Sequence, residues 1–533
     1  MTHSGLIDQG SSFSSRIRSI DVISIMLALS CIVMGVFFYT LSDTRSALVI
    51  PLLGALFVML AWAWYRFRGV TDTSVERRMF PIALICLALM YGLVFPPESV
   101  PDGVYHYKVS YYCANLIEHS DNPHLIRAED EELLSIANGV PVIVDKSSIS
   151  PIKRNLSAFD SNEELIENAD YSAFVDGLNI TSTFIQQKLA PALGVFLGKA
   201  IGLNAFWVYT LGMIFNLLYG VVLIMLSVRI TPIGKKTFMA IALLPMTLHL
   251  LGSHSYDVGT LGLAFLLTAL LLRAIRREDM ITIKELLCIG IVGCLLAPCK
   301  TVYSLIIFLA VLIPASRFPS KGRAIAARAI IIALPFAVIA LLQLPGILTM
   351  LGITQPAAQA AEVSSGEGAM QPYVLGDLVT DPGFAASLFL NTFFVKGWEY
   401  LLTFVGSALG WLQGNLIAPE YLTLVLLLLV GLSVVRSPED KGVLPPKARI
   451  LLFIVFAIAV LAIMLALCLD HTPNTYDYIE GVQGRYFLQI APLLLIALRG
   501  SAFCFNRRMT FTLIISFVAL NATYIGFIFT RLL

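Results

Sequence analysis

The stretch NAFWVYTLGMIFNLLYGVVLIMLSV, residues 204–228, contains no charged side chain. A helix needs about 20 predominantly apolar residues to cross the hydrocarbon core of a bilayer, so this stretch is long enough to span a membrane. Stretches of the same kind recur along the chain, which is 57% hydrophobic and 13% charged. An ordinary soluble domain carries about 25% charged residues. The sequence therefore predicts an all-α polytopic integral membrane protein.

Hydropathy predicts about 13 transmembrane helices along the chain. Their approximate positions are 21–41, 47–65, 80–96, 204–228, 237–252, 257–273, 285–299, 301–316, 328–350, 418–435, 450–468, 485–499 and 510–531. Segment 384–412 is not among them. Its length and its charges, Lys396 and Glu399, favour an interfacial or re-entrant element, with two short spans as the alternative.

Basic residues cluster in alternate short loops, beginning with Arg16 and Arg18 before the first predicted span. Short loops rich in Lys and Arg remain in the cytoplasm, so all these clusters and the N-terminus are expected on the cytoplasmic side. Two longer loops, 97–203 and 351–417, then face outward. The large first loop follows the third predicted span.

The predicted organisation has three parts. Residues 1–79 form an N-terminal cytoplasmic segment with two additional transmembrane helices, 80–500 form the membrane core with both outward loops, and 501–533 form a C-terminal transmembrane helix. Neither outward loop resembles a soluble domain with its own core.

Short helices are expected inside the first outward loop. EDEELLSIA (129–137) reads as an amphipathic helix, and SNEELIENA (161–169) contains a capping-box pattern, Ser161 followed by Glu164. The stretch 174–203 is apolar but interrupted by charges, which favours a helix at the outer membrane surface. Gly194, Gly198 and Gly202 within it suit close helix packing or, alternatively, substrate contact.

Polar side chains gather at the outward ends of the predicted spans. Such groups are costly near lipid, so their placement is informative. They are Asp102, His106, His254, Tyr256, Asp257, Lys300, Tyr303, Asp470, His471, Glu480, Gln483, Arg485 and Tyr486. Secondary transporters usually bind near the bilayer midplane. A site at one mouth instead suits a substrate whose reactive end lies at the headgroups and whose tail stays in lipid.

Three of these residues have side chains suited to group transfer from a phosphate. Lys300 and Arg485 are suited to neutralise a phosphate, and Asp102 to accept a proton from a hydroxyl. Structural alternatives remain for each. Asp102 lies in a Pro-Asp-Gly turn, where an aspartate is common for structural reasons. Lys300 and Arg485 are also suited to anchor helix ends. Asp257 is suited to pair with either Lys300 or Arg485.

The sequence offers no signal for other ligand classes. The net charge is +1, and no basic, aromatic-rich patch suggests nucleic acid. The eight cysteines have no paired spacing, and no metal-ligand cluster is apparent. No metal and no cofactor are therefore expected.

Four short motifs carry a family resemblance: PDGVYHYK (101–108), SYD (255–257), CKTVY (299–303) and QGRYF (483–487). They resemble a family of bacterial polytopic membrane proteins of unknown function, grouped by fold with the class C (GT-C) glycosyltransferases, over residues 80–500. The resemblance implies a GT-C-like core preceded by two additional spans. It also implies that Asp102 is the catalytic base. Asp102 and His106 keep the family's spacing, although Gly103 stands where relatives carry a second acid, and His106 is expected to orient the acceptor or share the proton.

The expected function is that of an inverting glycosyltransferase of the bacterial inner (cytoplasmic) membrane, acting at the extracytoplasmic face. It would transfer a sugar from a polyprenyl-phosphate donor lipid, such as undecaprenyl phosphate, to a glycan acceptor such as O-antigen or its lipid-linked precursor. Further substrate-binding residues are expected to be Tyr256, Asp257, Tyr303, His471, Gln483 and Tyr486. The alternatives are a lipid-linked polysaccharide polymerase or ligase, and a lipid-sugar flippase or transporter.

Overall fold

The computed structural model describes most of the chain after residue 74. The described residues are 75–95, 97–118, 122–135, 165–176, 185–350, 372–410, 417–436, 442–500, 504 and 509–532. The predicted spans 21–41 and 47–65 and the predicted capping box Ser161–Glu164 lie outside them.

The described residues form mainly helices. In chain order these are α1 (Phe80–Val94), α2 (Gly103–Ile117), α3 (Ala128–Ser135), α4 (Ala169–Asp176), α5 (Ile185–Ala200), α6 (Ala205–Ile230), α7 (Lys235–Ala242), α8 (Pro245–Leu251), α9 (Asp257–Arg276), α10 (Ile283–Leu296), α11 (Lys321–Met350), α12 (Leu375–Thr380), α13 (Pro382–Val405), α14 (Glu420–Ser433), α15 (Pro446–Asp470), α16 (Ala491–Leu498) and α17 (Met509–Leu532). Three 3₁₀ helices, Thr301–Leu312, Ala315–Arg317 and Gly484–Phe487, and a π-helical turn, Val75–Met79, complete the set. Two short strands, β1 (Leu125–Arg127) and β2 (Leu165–Glu167), pair antiparallel.

Six helices in the described part of the chain are long and apolar enough to cross a membrane. They occupy Val75–Val94, Ala205–Ile230, Asp257–Arg276, Lys321–Gln343, Pro446–Asp470 and Met509–Ile528. Thr301–Leu312 and Glu420–Ser433 are shorter apolar helices. The chain is thus a helical protein with several apolar spans, whereas the number of about 13 spans stays a prediction.

Helix α9 lies at the centre of the membrane core. It is apolar on all sides, and 83% of its most apolar stretch is buried by neighbouring helices, including α6. Helix α11 is the opposite case, with only 11% of the corresponding stretch buried. An apolar helix left uncovered by protein suits a position against lipid tails.

The predicted span 237–252 is divided into two helices, α7 and α8. Pro245 begins α8 and lacks an amide hydrogen, so the helical ladder breaks immediately before it. Other polar groups satisfy the freed carbonyls, because Thr247 Oγ1 donates to Ile241 O at 2.7 Å and Asn521 Nδ2 to Leu243 O at 2.9 Å. The predicted span 485–499 is divided in the same way, into Gly484–Phe487 and α16.

Segment 384–412 belongs largely to one helix, α13, which begins and ends with recognisable caps. Asp381 Oδ1 accepts from Phe384 N at 2.9 Å, and Gly406 ends the helix at φ +87°. The alternative of two short spans is therefore wrong for this helix. Its apolar side chains are largely uncovered, with Phe394 87% exposed, and the interfacial or re-entrant position stays a prediction.

The described part of the first outward loop packs onto the membrane core. Tyr111 and Ile126 share one apolar cluster with Val195 and Val208, which belong to α5 and α6. A buried ion pair strengthens the loop, because Arg127 Nε donates to Asp130 Oδ2 at 2.7 Å. This part of the loop therefore has no core separate from the helices.

One of the two short helices predicted in this loop is present. Helix α3 covers most of EDEELLSIA, as expected. The prediction for SNEELIENA is wrong in part, since Leu165–Glu167 forms β2 and pairs with β1, placing Ile166 opposite Ile126. Tertiary pairing of these apolar side chains outweighs the local capping signal.

The two glycines within α5, Gly194 and Gly198, lie where α5 packs against α6. This agrees with the interpretation of close helix packing rather than substrate contact. A Cβ at Gly194 would meet the Gly212 backbone on α6, and one at Gly198 would meet Val208. Gly202 instead has φ +72° and lies just beyond the end of the helix.

Candidate functional site

Asp102 immediately precedes helix α2 and has a strained backbone conformation. Its φ of 60° and ψ of 20° lie in the left-handed region, which Asp tolerates better than most residues. Its carbonyl accepts from His106 N at 3.0 Å, and its side chain is 49% exposed. The neighbouring Gly103 leaves no room for a side chain, because a Cβ there would overlap the Glu98 carbonyl.

Arg485 joins Asp102 to a second carboxylate, Asp257. Its Nη2 donates to Asp102 Oδ2 at 2.7 Å, and its Nη1 donates to Asp257 Oδ2 at 3.1 Å. Its Nε donates to Gln483 Oε1 at 2.6 Å, and Nη2 also donates to Tyr486 Oη at 3.2 Å. These bonds fix a guanidinium whose side chain is only 2% exposed.

Lys300 approaches Asp257 from the other side. Its Nζ donates to Asp257 Oδ1 at 3.2 Å, so the two oxygens of one carboxylate bind both cations of the site. Burial lowers the pKa of Lys300, but the charge of Asp257 together with the neighbouring Tyr256, Tyr303 and Tyr486 outweighs burial and raises the pKa above its ordinary value. Lys300 is therefore charged at neutral pH.

Aromatic rings enclose the Lys300 ammonium. Its Nζ lies 4.2 Å from the Tyr486 ring centroid and 5.2 Å from that of Tyr256, distances suited to cation–π contacts. Tyr303 supports this arrangement, since its hydroxyl donates to Tyr486 O at 2.9 Å.

His106 lies behind Tyr256 and is 1% exposed. Its ring meets the Tyr256 ring edge-on at 4.6 Å, and its Nε2 is 3.4 Å from Ser255 Oγ. Burial, followed by the charges of Lys188, Arg485 and Lys300, lowers its pKa well below the ordinary value. The imidazole is therefore neutral near pH 7 and shielded from solvent.

Lys188 is a site neighbour that the sequence patterns did not identify. It was expected at the outer membrane surface, but its side chain is buried and points toward the segments that carry Asp102 and Asp257. Its Nζ donates to His254 O at 2.9 Å. A signal did exist, since Lys188 is an isolated charge in an apolar stretch.

The QGRYF motif turns tightly against helix α13. Gly484 N donates to Thr403 Oγ1 at 2.7 Å, and a Cβ at 484 would overlap the Tyr400 carbonyl. Only glycine permits this approach, which in turn sets the position of Arg485.

A cavity of about 430 Å³ opens beside Lys300. One end is polar, with Lys300, Tyr256 and Tyr486. Most of the remaining wall is apolar and comes from α11, α15 and the 3₁₀ helix Thr301–Leu312. The lining residues there are Pro298, Thr301, Val302, Tyr303, Ile339, Leu342, Gln343, Ile463, Ala466 and Leu467. The cavity thus combines a cationic end with an apolar wall.

Three predicted residues, Asp470, His471 and Glu480, are not brought into this cluster. Asp470 and His471 are exposed, and His471 lies against Gly481. Glu480 accepts from Lys396 Nζ at 3.2 Å, and Lys396 also pairs with Glu399 at the same distance. His254 lies deeper than expected, with Nε2 2.8 Å from Tyr209 O, and burial lowers its pKa to about 3.

The described residues contain no group of three His, Cys, Asp or Glu side chains arranged to hold a metal ion. Metal-independent chemistry stays a prediction.

No curated protein and no solved structure matches the chain. The profile of a family described as "Predicted membrane protein (DUF2142)" matches residues 187–494, more than half of the chain. The match begins later than the expected 80–500, so Lys188, Asp257, Lys300 and Arg485 lie within it but Asp102 does not. The chain therefore belongs to the DUF2142 family of predicted membrane proteins.

Proposed function

We propose that this protein is an inverting glycosyltransferase that moves a sugar from a polyprenyl-phosphate donor to a hydroxyl of a surface glycan or its lipid-linked precursor. One observation carries the proposal. Lys300 lines a cavity with an apolar wall, and Asp257 and Arg485 link it to an exposed carboxylate, Asp102. This combination fits a substrate with an anionic head and an apolar tail.

Lys300 is the proposed phosphate-binding residue. An ammonium has three N–H donors, and Lys300 uses one of them on Asp257. Because Lys300 lines the cavity, its remaining donors are available to a phosphate there. The prenyl chain would lie along Ile339, Leu342 and Ile463.

Arg485 has a different role, because it is already engaged. Of the five N–H donors of a guanidinium, four are used on Gln483, Asp257, Asp102 and Tyr486. Arg485 would orient the two carboxylates and stabilise the negative charge that develops on the departing phosphate.

The proposed step is a single displacement at the anomeric carbon. Asp102 takes the proton of the acceptor hydroxyl, whose oxygen forms the new bond to that carbon. The bond between the anomeric carbon and the phosphate oxygen breaks, and its electron pair leaves with polyprenyl phosphate. His106 is buried, so its proposed role is to hold the Asp102 turn and the Tyr256 ring.

The charges of the site favour a monophosphate donor over a diphosphate donor. Two carboxylates, Asp102 and Asp257, face two cations, Lys300 and Arg485, so the cluster is close to neutral. A diphosphate would add further uncompensated negative charge in a partly buried place. This argues for a transferase rather than the lipid-diphosphate polymerase or ligase.

The extracytoplasmic location of the site is likewise a proposal. Asp257 begins α9, whereas Arg273 and Arg276 lie in its last turn. The helix has 20 residues and is therefore about 30 Å long, roughly the thickness of a bilayer core. If the basic end faces the cytoplasm, the carboxylates and Lys300 are outside.

The decisive experiment compares surface polysaccharide from wild-type, deletion and Asp102→Asn cells. The proposal expects the same sugar to be missing from the deletion and the variant, with the variant present at normal levels in the membrane. Unused lipid-linked sugar should accumulate at the outer leaflet. An active Asp102→Asn variant would remove Asp102 as the base, and sugar trapped at the inner leaflet would favour the flippase.

A further inference from the structure

Helix α5 contains a buried cation that the proposed transfer step leaves without a role. The Lys188 side chain is 1% exposed. A buried ammonium is costly unless a carboxylate compensates it. Among the residues that the structure describes, no carboxylate lies within ion-pair distance of Lys188. Asp257 acts on it only at longer range.

Lys188 instead binds two backbone carbonyls from separate segments. Its Nζ donates to His254 O at 2.9 Å and, more weakly, to His106 O at 3.4 Å. It also lies 5.5 Å from the Tyr256 ring centroid. The titratable groups that face Lys188 are His106, His254, Tyr256, Cys113 and Asp257.

These two segments carry the two carboxylates of the site. His106 lies one helical turn after Asp102, and its amide donates to the Asp102 carbonyl. His254 lies three residues before Asp257. One ammonium therefore ties the first turn of α2 to the loop that begins α9.

We propose that Lys188 is a positioning residue for the transfer reaction, holding the Asp102 turn against the 253–257 loop so that both carboxylates meet Arg485. This inference rests on the proposed function for its catalytic consequence. The positioning itself is independent of that function.

A positioning role and a purely structural role for Lys188 differ in their effect on stability. A methionine has nearly the length of lysine and no buried charge to compensate, so it suits an apolar helix face better. Replacing lysine by methionine should therefore leave the fold intact while loosening the two segments. We therefore expect Lys188→Met to keep its thermal stability, while the segments that carry the two carboxylates are held less firmly at the site.

The experiment compares purified wild type, Lys188→Met and Lys199→Met in lipid nanodiscs. Lys199 is a matched control, because it lies on the same helix and pairs with Glu118 away from the cluster. Three quantities are measured: thermal unfolding, hydrogen exchange at residues 102–107, and sugar transfer from a polyprenyl-phosphate donor. Binding of farnesyl phosphate is measured in parallel.

The proposal expects Lys188→Met to unfold at or above the temperature of Lys199→Met. Its 102–107 turn should exchange faster, and its transfer rate should fall by about tenfold or more, while farnesyl phosphate binding stays within about threefold. Unchanged exchange at 102–107, unchanged transfer, or a general loss of stability would each overturn it. If wild type itself neither binds farnesyl phosphate nor transfers sugar, the proposed function fails, and the exchange data still judge the positioning role.

Discussion

Arg485 donates a 2.7 Å hydrogen bond to Asp102, a residue 383 positions earlier in the chain. The same guanidinium reaches Asp257 at 3.1 Å, and Asp257 reaches Lys300 at 3.2 Å. Residues from four separate segments thus form one chain of charges.

Arg485→Lys should reduce sugar transfer by about tenfold or more, because a lysine keeps the charge but not the fork that spans two carboxylates. Membrane insertion and yield should stay normal. The measurement is transfer in nanodiscs, with Arg449→Lys as control, since Arg449 donates instead to Ala497 O. Wild-type transfer by Arg485→Lys would show that the fork is dispensable.

Ala466→Trp should weaken farnesyl phosphate binding by about tenfold, because the indole would fill apolar space beside Lys300 without altering any charge. Ile458→Trp is the control on the same helix, at a position that is 50% exposed. Binding is measured by competition with a fluorescent prenyl phosphate. Equal affinity for the two variants would mean that the cavity does not hold the lipid tail.

Gly484→Ala should lower the unfolding temperature and the transfer rate together, since a methyl group there would overlap the Tyr400 carbonyl. Gly431→Ala is the control, because a Cβ at 431 meets no atom within 4 Å. Thermal unfolding in detergent provides the measurement. A fully stable Gly484→Ala protein would contradict the close approach of this turn to α13.

Stability should depend on pH through Lys188. Burial lowers its pKa from 10.5 to about 7, against the smaller opposing effects of Cys113 and Asp257. Between these two pH values the unfolded chain retains a proton that the folded chain has released, so wild type gains stability as pH rises. Lys188→Met should lack this gain, as measured by unfolding temperature at several pH values. If the unfolding temperatures of the two proteins changed with pH in the same way, Lys188 would be in contact with water rather than buried.

Sugar transfer should persist in the presence of a divalent-metal chelator, since the proposed step uses only protein carboxylates and cations. The measurement is the transfer rate with and without EDTA. Inhibition that added magnesium or manganese reverses would require a metal in the mechanism.

Several site residues could be identified from the sequence because of where they lie. Lys300 and Arg485 are charges at the ends of apolar stretches, and Asp102 stands between a proline and a glycine in a turn. Lys188 was misjudged, because an isolated lysine in an apolar stretch suggests a surface helix when its neighbours are unknown. The division of 237–252 at Pro245 was missed because hydropathy averages over a proline.

The sequence by itself determined the class of protein. Long uncharged stretches can be buried only in lipid or in a helical core, and this follows from composition and periodicity alone. The polar residues at span ends likewise required no structure to be noticed.

Only the tertiary structure decided how those residues meet. It made Asp257 the shared partner of Lys300 and Arg485, withdrew His106 and Lys188 from solvent, and left His471 outside the cluster. The physical reason is that hydrogen bonds and ion pairs act over a few ångströms. Pairing between segments hundreds of residues apart therefore depends on helix packing, which hydropathy does not encode.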